Sequence, residues 1–275
     1  LDARITVMLT AVQRLHGVRG AAGEIGVHHG KYFSLVASTA RPDEELFACD
    51  LFADQEANVD RSGGGDFAIF KSNVEKLGKF LGENISGRMK VFVGSSLLLP
   101  ESRAMPRNFR LLSIDAGHTE VLAFSDIKLG ASRLAPGGIL AVDDVLNPAW
   151  QGVSRGIRDF FQLLDRSFTQ LRPLVLGANK LFLTTAPYHA LYSEAVAELL
   201  RPADAWGRVE GSVPPALAAL ARRPLGAVQK LDVAELGALL DAGGYEEGNL
   251  DEEGSVRNGM PPRGLPSGDG IGVLR

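Results

Sequence analysis

From residue 22 to about residue 185, short apolar runs alternate with longer segments of helical periodicity, and no other feature restricts the fold as strongly. This alternation is typical of βαβ units, in which helices connect parallel strands and cover both faces of a sheet. It predicts an α/β fold, doubly wound around a mostly parallel sheet of seven strands. The predicted strands are residues 23–27, 45–49, 90–93, 110–114, 139–142, 171–176 and 180–184.

The helices between these strands are predicted from apolar residues that recur at three- and four-residue spacing. They cover residues 29–38, 67–81, 119–134 and 153–164. The run Pro136-Gly137-Gly138 is expected to break the chain before the fifth strand. Gly177-Ala178-Asn179 separates the last two strands and is a signal for a three-residue hairpin turn. The sheet should therefore end in an antiparallel pair.

Three further segments flank the domain at residues 22–185. Residues 1–21 are predicted to form an amphipathic helix with one apolar face. Residues 186–250 are predicted to be a helical appendage, with helices at 188–200, 215–222 and 233–240 and no further strand. Residues 251–275 contain six glycines and three prolines, so a poorly ordered tail is expected there.

Composition narrows the class of protein. With 45% hydrophobic and 23% charged residues, the chain has the profile of a globular protein, and disorder, collagen and coiled coil are excluded. The net charge of −4 gives no indication that the chain binds nucleic acid or an anionic membrane. Cys49 is the single cysteine, which favours a reducing compartment. Because no apolar run approaches about 20 residues and Arg4 and Arg14 interrupt the first helix, we expect a cytoplasmic protein without membrane span or signal peptide.

The first predicted strand runs into a turn that contains Glu24, Gly26, His28 and Gly30. Glycines at a strand-to-helix turn let the backbone approach a ligand, and the next helix begins with unpaired N–H groups. A small-anion or nucleotide site is therefore predicted. The dinucleotide pattern G-x-G-x-x-G is absent, and the glycines could also serve only close packing of strand and helix.

Asp50 follows the second predicted strand, where an acid can accept hydrogen bonds from both hydroxyls of a ribose. Ligands of doubly wound sheets bind at the carboxyl ends of the strands, which is where this residue and the glycine turn lie. The alternative is a loop or capping role for Asp50. Together, Glu24, Gly26, Gly30 and Asp50 resemble the cofactor site of the class I S-adenosylmethionine-dependent methyltransferases. In that family an E-x-G-x-x-x-G turn follows strand one, and the acid after strand two holds the ribose.

The resemblance covers residues 22–185 and includes the terminal hairpin. It implies that Ser95 and Ser96, after the third strand, lie near the adenine, although they could also form an ordinary turn. The residues it assigns to S-adenosylmethionine are Glu24, Gly26, His28, Gly30, Asp50, Leu51, Ser95, Ser96 and Asp115. A small-molecule substrate is the expected partner, with no nucleic acid or membrane, and a homo-oligomer is left open.

Acidic residues follow the fourth and fifth predicted strands: Asp115 after one, Asp143 and Asp144 after the other. If these strands are neighbours, the like charges repel unless a cation lies among them, and oxygen ligands of this kind suit Mg²⁺. His118 is close enough in sequence to act as a general base at neutral pH. The alternatives are helix caps and turns for the acids, and a capping or hydrogen-bonding role for the histidine.

The run from Ile114 to Thr119, with the later pair Asp143-Asp144, is similar to a branch that includes metal-dependent sugar O-methyltransferases of antibiotic pathways. The resemblance implies that Asp115 and an acid of that pair hold the metal. Gly117 stands where some members have an aspartate base, so the base would be His118. The implied reaction is O-methylation of a small hydroxylated metabolite such as a sugar or diol.

Other functions compete with this one. A metal-independent N- or O-methyltransferase would use the acids only for structure and cofactor, and a non-catalytic S-adenosylmethionine-binding protein would not need His118. An NAD-dependent oxidoreductase is disfavoured by the missing middle glycine and by the absence of a Tyr-x-x-x-Lys pair. Trp150 could stack on a substrate ring or be a buried aromatic residue.

Overall fold

A computed structural model describes residues 1–163, 170–199 and 229–230. It contains one sheet with the strand order β3-β2-β1-β4-β5-β7-β6-β8. The strands are β1 (Ala21–Ile25), β2 (Leu46–Asp50), β3 (Met89–Val93), β4 (Phe109–Ile114), β5 (Leu134–Val142), β6 (Leu171–Leu176), β7 (Leu181–Thr185) and β8 (Gln229–Lys230). The helices are α1 (Asp2–Leu15), α2 (Lys31–Thr39), α3 (Phe67–Leu81), α4 (Glu120–Arg133), α5 (Gln151–Leu163) and α6 (His189–Leu199).

The sheet confirms the predicted architecture. Strands β1 to β5 are parallel to one another, whereas β7 is antiparallel to both β5 and β6, and β8 is antiparallel to β6. Each of the seven predicted strands is present, with boundaries shifted by a few residues. The prediction of no further strand within residues 186–250 is wrong, because β8 pairs with β6 there. Two residues are too few to produce an alternating pattern in the sequence.

Local sequence explains where the helices start and stop. Asp66 caps α3 by accepting a hydrogen bond from Ile69 N–H at 2.9 Å, and Gly82 ends that helix in the left-handed conformation with φ 68°. Thr119 caps α4 through the Leu122 N–H. The predicted boundaries of α3 match the observed ones, since both ends carry such a signal.

The expected chain break at Pro136-Gly137-Gly138 is wrong. These residues lie inside β5, which begins directly after α4. The pairing of β5 with β4 shifts register between Phe109 and Leu111, and Gly137 adopts φ 76° at this irregularity. The Gly137 N–H donates to Thr185 Oγ1 at 2.9 Å, so the glycines continue the strand through a bulge rather than ending it.

Helices cover both faces of the sheet, as a doubly wound fold requires. One core cluster packs α1, α2, α3 and α6 against the sheet and includes Ile5, Leu9, Phe33, Phe70 and Tyr192. The other packs α4 and α5 on the opposite face, through Ile127, Ile157 and Phe160 among others. The helix predicted for residues 1–21 is thus part of the domain core. The predicted helices at 215–222 and 233–240 and the tail at 251–275 lie outside the described residues.

A buried polar cluster lies at the amino ends of the strands, formed by Gln13, Arg41, Glu44 and Arg110. The Arg110 guanidinium donates to Glu44 Oε2 at 2.8 Å and to Gln13 Oε1 at 3.0 Å. The Arg41 side chain donates to Glu44 Oε1 at 2.5 Å, and Gln13 Nε2 donates to the Arg110 carbonyl at 2.6 Å. We call this group the amino-end cluster; it links α1, β4 and the turn before β2.

Across the part of the chain that the structure describes, none of the helices combines the length and apolar character needed to cross a membrane.

Candidate active site

A cavity of about 660 Å³ opens at the carboxyl ends of the strands. Its wall contains all but one of the residues predicted to bind the cofactor: Glu24, Gly26, His28, Asp50, Leu51, Ser95, Ser96 and Asp115. The predicted metal ligands Asp143 and Asp144 line it as well. Two predicted site residues, Gly30 and His118, do not belong to the wall.

The turn after β1 owes its shape to two glycines with positive φ. Gly26 has φ 88°, and a Cβ there would lie 1.8 Å from the carbonyl oxygen of Asp115. Gly30 has φ 84°, precedes α2, and a Cβ there would lie 2.9 Å from the Phe70 ring. Close approach is therefore required at both positions, but the approaching groups are β4 and α3. At Gly30 the packing alternative describes the structure better than cofactor contact does.

Asp50 ties this turn to the loop after β2. Its Oδ2 accepts the His28 N–H at 2.7 Å, and its Oδ1 accepts the Phe52 N–H at 2.7 Å. Both donors belong to residues with positive φ, 49° and 50°. A carboxylate oxygen has a second lone pair, so Asp50 keeps acceptor capacity toward the cavity.

Glu24 is a buried acid in the cavity wall, with 1% of its surface exposed. Neither carboxylate oxygen has a hydrogen-bond partner among the described residues. Burial raises the pKa of Glu24 to about 8, and the ammonium of Lys180 opposes this shift only in part. A buried polar group without a partner is costly, which makes Glu24 a candidate contact for a ligand that donates hydrogen bonds.

Asp115, His118 and Asp144 meet at the ends of β4 and β5, and we call them the carboxyl-end cluster. The His118 Nε2 lies 3.0 Å from Asp144 Oδ2 and 3.7 Å from Asp115 Oδ1. One ligand atom from each residue falls within 4.8 Å of the others, an arrangement that could hold a metal ion. His118 is buried behind the two acids, which themselves line the cavity.

Asp143, the third predicted ligand, faces a buried lysine. Its Oδ2 lies 3.0 Å from the Nζ of Lys180, whose side chain is 1% exposed. Burial raises the pKa of Asp143 to about 6; Lys180 opposes this shift, and the nearby charges of Asp115 and Asp144 add to it. The structure therefore separates Asp143, which is paired with an ammonium, from the carboxyl-end cluster.

Sequence reasoning missed Lys180, although a signal existed. Burial alone would lower the pKa of its ammonium, but the surrounding acids, Asp143 first among them, raise it above the ordinary lysine value. The ammonium also lies 4.2 Å from the centre of the Tyr32 ring. Lys180 directly precedes β7, and a charged residue beside an apolar run at the carboxyl ends of the strands indicates a buried partner.

Asp60 was also missed, because nothing in its sequence context links it to His118. It lies in the loop between β2 and α3, and its side chain is 6% exposed. Its Oδ2 accepts a hydrogen bond from the backbone N–H of His118 at 2.5 Å. The same oxygen lies 2.8 Å from Nδ1 of the His118 ring. These hydrogen bonds and the charge of His118 hold the pKa of Asp60 well below its usual range, although burial alone would raise it.

Trp150 stacks on the His118 ring, with centroids 4.5 Å apart and planes inclined by 25°. The tryptophan predicted either to meet substrate or to be buried thus packs against the candidate base. The imidazole is held at its face by Trp150 and at its Nδ1 edge by Asp60.

The turn after β3 places Ser95 and Ser96 in the cavity wall. Ser95 Oγ accepts the Leu97 N–H at 3.3 Å and starts a short 3₁₀ helix. Asp126 of α4 is buried nearby, and burial raises its pKa to about 7. The two serines therefore form a structured turn and also face the cavity, which is compatible with both readings of the sequence.

The strand order, the turn after β1 and the acid at the end of β2 define the class I methyltransferase fold. Residues 24–145 match the model of a family described as a methyltransferase domain. The matched segment contains the turn, Asp50 and the carboxyl-end cluster. Over these residues the chain therefore matches a methyltransferase domain, in agreement with the sequence prediction.

The fold is similar to several solved structures. The O-methyltransferase TomG from Streptomyces achromogenes, involved in tomaymycin synthesis and solved with SAM, is 17% identical; the alignment covers 64% of this chain and 77% of that chain, with TM-score 0.48. An O-methyltransferase from Bacillus cereus in complex with SAH is 16% identical, with coverage of 64% and 78% and TM-score 0.45. A TDP-rhamnose 3'-O-methyltransferase of calicheamicin biosynthesis is 18% identical, with coverage of 64% and 76% and TM-score 0.44. No significant match occurs among curated proteins.

Proposed function

We propose that this chain transfers the methyl group of S-adenosylmethionine to a hydroxyl oxygen of a small metabolite, assisted by a divalent cation. The observation that carries the proposal is that Glu24 and Asp50 share one cavity wall with Asp115 and Asp144. A cofactor site and a candidate metal centre thereby open into the same space. A methyl donor and an acceptor can meet there.

The cavity fits the cofactor in size and chemistry. Small-molecule sites commonly enclose roughly 300–1,000 Å³, and this one lies within that range. Asp50 would accept hydrogen bonds from the ribose, and Ser95 and Ser96 would lie at the adenine, as the family resemblance implies. The buried Glu24 carboxylate has no partner among the described residues, so a cationic amino group is a suitable occupant beside it.

The carboxyl-end cluster fits a divalent cation. Asp115 and Asp144 provide hard oxygen ligands that line the cavity, and their mutual repulsion favours a cation between them. Asp143 would join them only by giving up its contact with Lys180. When bound, such an ion orients acceptor oxygens and lowers the pKa of the hydroxyl to be methylated.

His118 is the proposed base. An imidazole takes up protons at neutral pH, and Nε2 is directed toward the two acids of the cavity wall. Trp150 and Asp60 fix the ring, so the orientation of the base is set before an acceptor arrives. The remaining task of the protein is to align the acceptor oxygen with the methyl carbon and sulfur, and such positioning supplies much of the rate.

The acceptor class is proposed from the branch resemblance and from the cluster. Two carboxylates leave coordination positions for two substrate oxygens, which suits a vicinal diol such as a sugar. No nucleic acid or membrane partner is proposed, because the net charge of −4 favours neither.

Calorimetric titration with S-adenosylhomocysteine tests the proposal, with NAD as the control ligand. The titration is made in Mg²⁺ and again in EDTA, and transfer to a panel of sugars and diols is then assayed in both buffers. We expect micromolar binding of S-adenosylhomocysteine, none of NAD, and transfer that requires the cation. Absence of binding to either ligand would refute the assignment.

One observation favours a metal-independent methyltransferase as the second candidate. Lys180 already neutralises Asp143, and Asp60 with Asp144 flanks His118 on both ring nitrogens. Such an arrangement can support a base without an added cation. Transfer that proceeds equally well in EDTA would select this candidate.

A further inference from the structure

We propose that Asn179, in the turn between β6 and β7, is a positioning residue that presents one oxygen of Asp144 to the divalent cation. This inference rests on the proposed function, in which Asp144 is a ligand of that cation. It assigns a role to the turn Gly177-Ala178-Asn179, which sequence analysis identified only as a hairpin signal. Asn179 and Asp144 both line the cavity.

Asn179 contacts three successive residues of the segment that follows β5. Its backbone carbonyl accepts the Val145 N–H at 3.1 Å, and its side-chain Oδ1 accepts the Leu146 N–H at 3.0 Å. Its side-chain Nδ2 donates to Asp144 Oδ1 at 2.8 Å. Because a backbone N–H can only donate, the amide oxygen must face Leu146 and the NH₂ group must face Asp144. The direction of the Asn179 amide is therefore fixed by its surroundings.

A second asparagine holds the same oxygen of Asp144. Asn147 Nδ2 donates to Asp144 Oδ1 at 2.9 Å, and Asn147 Oδ1 accepts the Ala149 N–H at 3.1 Å, which fixes this amide in the same way. Oδ1 of Asp144 thus accepts two hydrogen bonds, one for each of its lone pairs. The other oxygen, Oδ2, is directed toward the carboxyl-end cluster and lies 3.0 Å from His118 Nε2. A cation in this cluster would therefore be bound through Oδ2.

The backbone of Asp144 also depends on these contacts. It adopts φ 60°, in the left-handed region that is uncommon for residues other than glycine. Such a conformation persists only where the surrounding structure determines it. The hairpin turn supplies this support and is itself anchored to α1, because the Ala178 N–H donates to Asp2 Oδ1 at 2.7 Å. The orientation of Asp144 is thus set by a turn that lies 35 positions later in the sequence.

The test compares Asn179→Ala with Asn84→Ala as a matched control. Asn84 Oδ1 also accepts a backbone N–H, from Gly87 at 2.9 Å, but Asn84 does not line the cavity. The probe is Mn²⁺, and its affinity is measured by calorimetry at a temperature at which thermal unfolding in EDTA shows each variant to be folded. The affinity for S-adenosylhomocysteine is measured on the same samples.

We expect Asn179→Ala to weaken Mn²⁺ binding about 10- to 100-fold, the usual loss when a hydrogen-bond partner of a metal ligand is removed. The Mg²⁺ concentration needed for half-maximal methyl transfer should rise by the same factor. Asn147→Ala should cause a smaller loss, since Asn179 still holds Oδ1 of Asp144. The affinity for S-adenosylhomocysteine should not change in any variant, and Asn84→Ala should match the wild type throughout.

A further measurement needs only the wild-type protein. The side-chain NH₂ signals of Asn147 and Asn179 are followed by ¹⁵N NMR while Mg²⁺ is added. Both groups should continue to exchange slowly with water, because Oδ1 of Asp144 keeps its two donors when Oδ2 binds the cation. Rapid exchange of both groups in the Mg²⁺-bound protein would mean that the cation binds Oδ1 instead, and the inference would be wrong.

Equal Mn²⁺ affinities of Asn179→Ala and the wild type would also overturn the inference. A loss of stability without a loss of Mn²⁺ affinity would show that Asn179 only closes the hairpin. Failure of the metal-assisted function has a different signature, because the wild-type protein itself would then bind no Mn²⁺. That result would overturn the inference together with the function on which it rests.

Discussion

The amino-end cluster and the carboxyl-end cluster both gather charged side chains at opposite ends of the same sheet, yet their charges are arranged differently. At the amino ends, Arg110 and Arg41 meet Glu44, and hydrogen bonds connect these groups with Gln13. At the carboxyl ends, Asp60, Asp115, Asp143 and Asp144 surround one histidine and one lysine, and Glu24 lies nearby without a hydrogen-bond partner among the described residues.

The difference distinguishes polar residues that stabilise the fold from polar residues that are available to a ligand. A buried ion pair that is closed by its own hydrogen bonds holds neighbouring elements together and offers nothing to a ligand. An excess of acids beside a cavity is stabilised only in part by the protein, so it favours binding of cations and hydrogen-bond donors. The predictions below test this contrast, beginning with the largest effect.

Breaking the amino-end cluster should cost the most stability. Arg110→Met leaves the Glu44 carboxylate buried with fewer partners, and removal of one member of a buried pair typically costs about 3–5 kcal/mol. Denaturant unfolding measures the loss. Arg19→Met, which removes an exposed pair with Asp43, is the control and should change the free energy of unfolding by less than about 1 kcal/mol. Equal effects of the two variants would refute the structural role of Arg110.

Removing the proposed base should affect catalysis far more than cofactor binding. His118→Ala is expected to reduce kcat by about 10²- to 10⁴-fold, the range for general bases, with little change in S-adenosylhomocysteine affinity. His16→Ala, an exposed histidine at the end of α1, is the control. Binding of Mn²⁺ measured by calorimetry adds a distinction: retained affinity supports a base, whereas a large loss would make His118 a metal ligand.

Neutralising one acid of the carboxyl-end cluster should weaken cation binding but not the fold. Asp115→Asn removes a ligand oxygen and also relieves repulsion from Asp144, so Mn²⁺ affinity should drop at least tenfold while stability in EDTA rises by about 0.5–1 kcal/mol. Calorimetry and thermal unfolding give the two numbers. A loss of stability in EDTA would contradict the view that these acids repel one another.

The last comparison concerns pH, and the two ends should differ in the sign of their pH dependence. The pKa of Glu44 is lowered: burial opposes this, but hydrogen bonds from Arg41 and the charge of Arg110 outweigh it. The ionised Glu44 therefore stabilises the folded protein above the ordinary pKa of glutamate, and this stabilisation is lost as the pH falls below it. The pKa of Glu24 is raised by burial to about 8, so stability is lost as pH rises from about 4.5 toward 8.

Glu24→Gln should remove the loss of stability between pH 4.5 and about 8 in the metal-free protein. Thermal unfolding measured across this pH range tests the prediction. Glu75→Gln, an exposed acid on α3, should leave the pH profile of stability unchanged. If the stability of the wild-type protein does not change between pH 5 and about 8, folding does not raise the pKa of Glu24.

Much of the fold and part of the candidate site could be predicted because their signals are local. Asp50, Asp115, Asp143 and Asp144 directly follow strands, and parallel strands bring their carboxyl ends to one edge. Asp60 could not be found in this way. It reaches His118 across 58 positions of sequence, and only the path of a loop brings the two together.

Two further differences between the predicted and the observed site have physical causes. Gly30 carries the same positive φ as Gly26, so the sequence pattern does not distinguish a glycine that packs on Phe70 from one beside the cavity. Lys180 changes the environment of Asp143 through the antiparallel pairing of β5 and β7, in which Val142 is opposite Leu181. Strand register of this kind is set by the folded sheet and cannot be read from the local sequence around Lys180.

The contact between Gly26 and the Asp115 carbonyl has a consequence for how such a protein can change its specificity. Because main chain packs against main chain there, the turn after β1 and the end of β4 form a single frame. The distance between the proposed donor and acceptor sites is thus set by the backbone. New acceptors can be accommodated by redesigning the loop at residues 51–65 or the segment after Asp144, whereas the frame itself tolerates no added side chain.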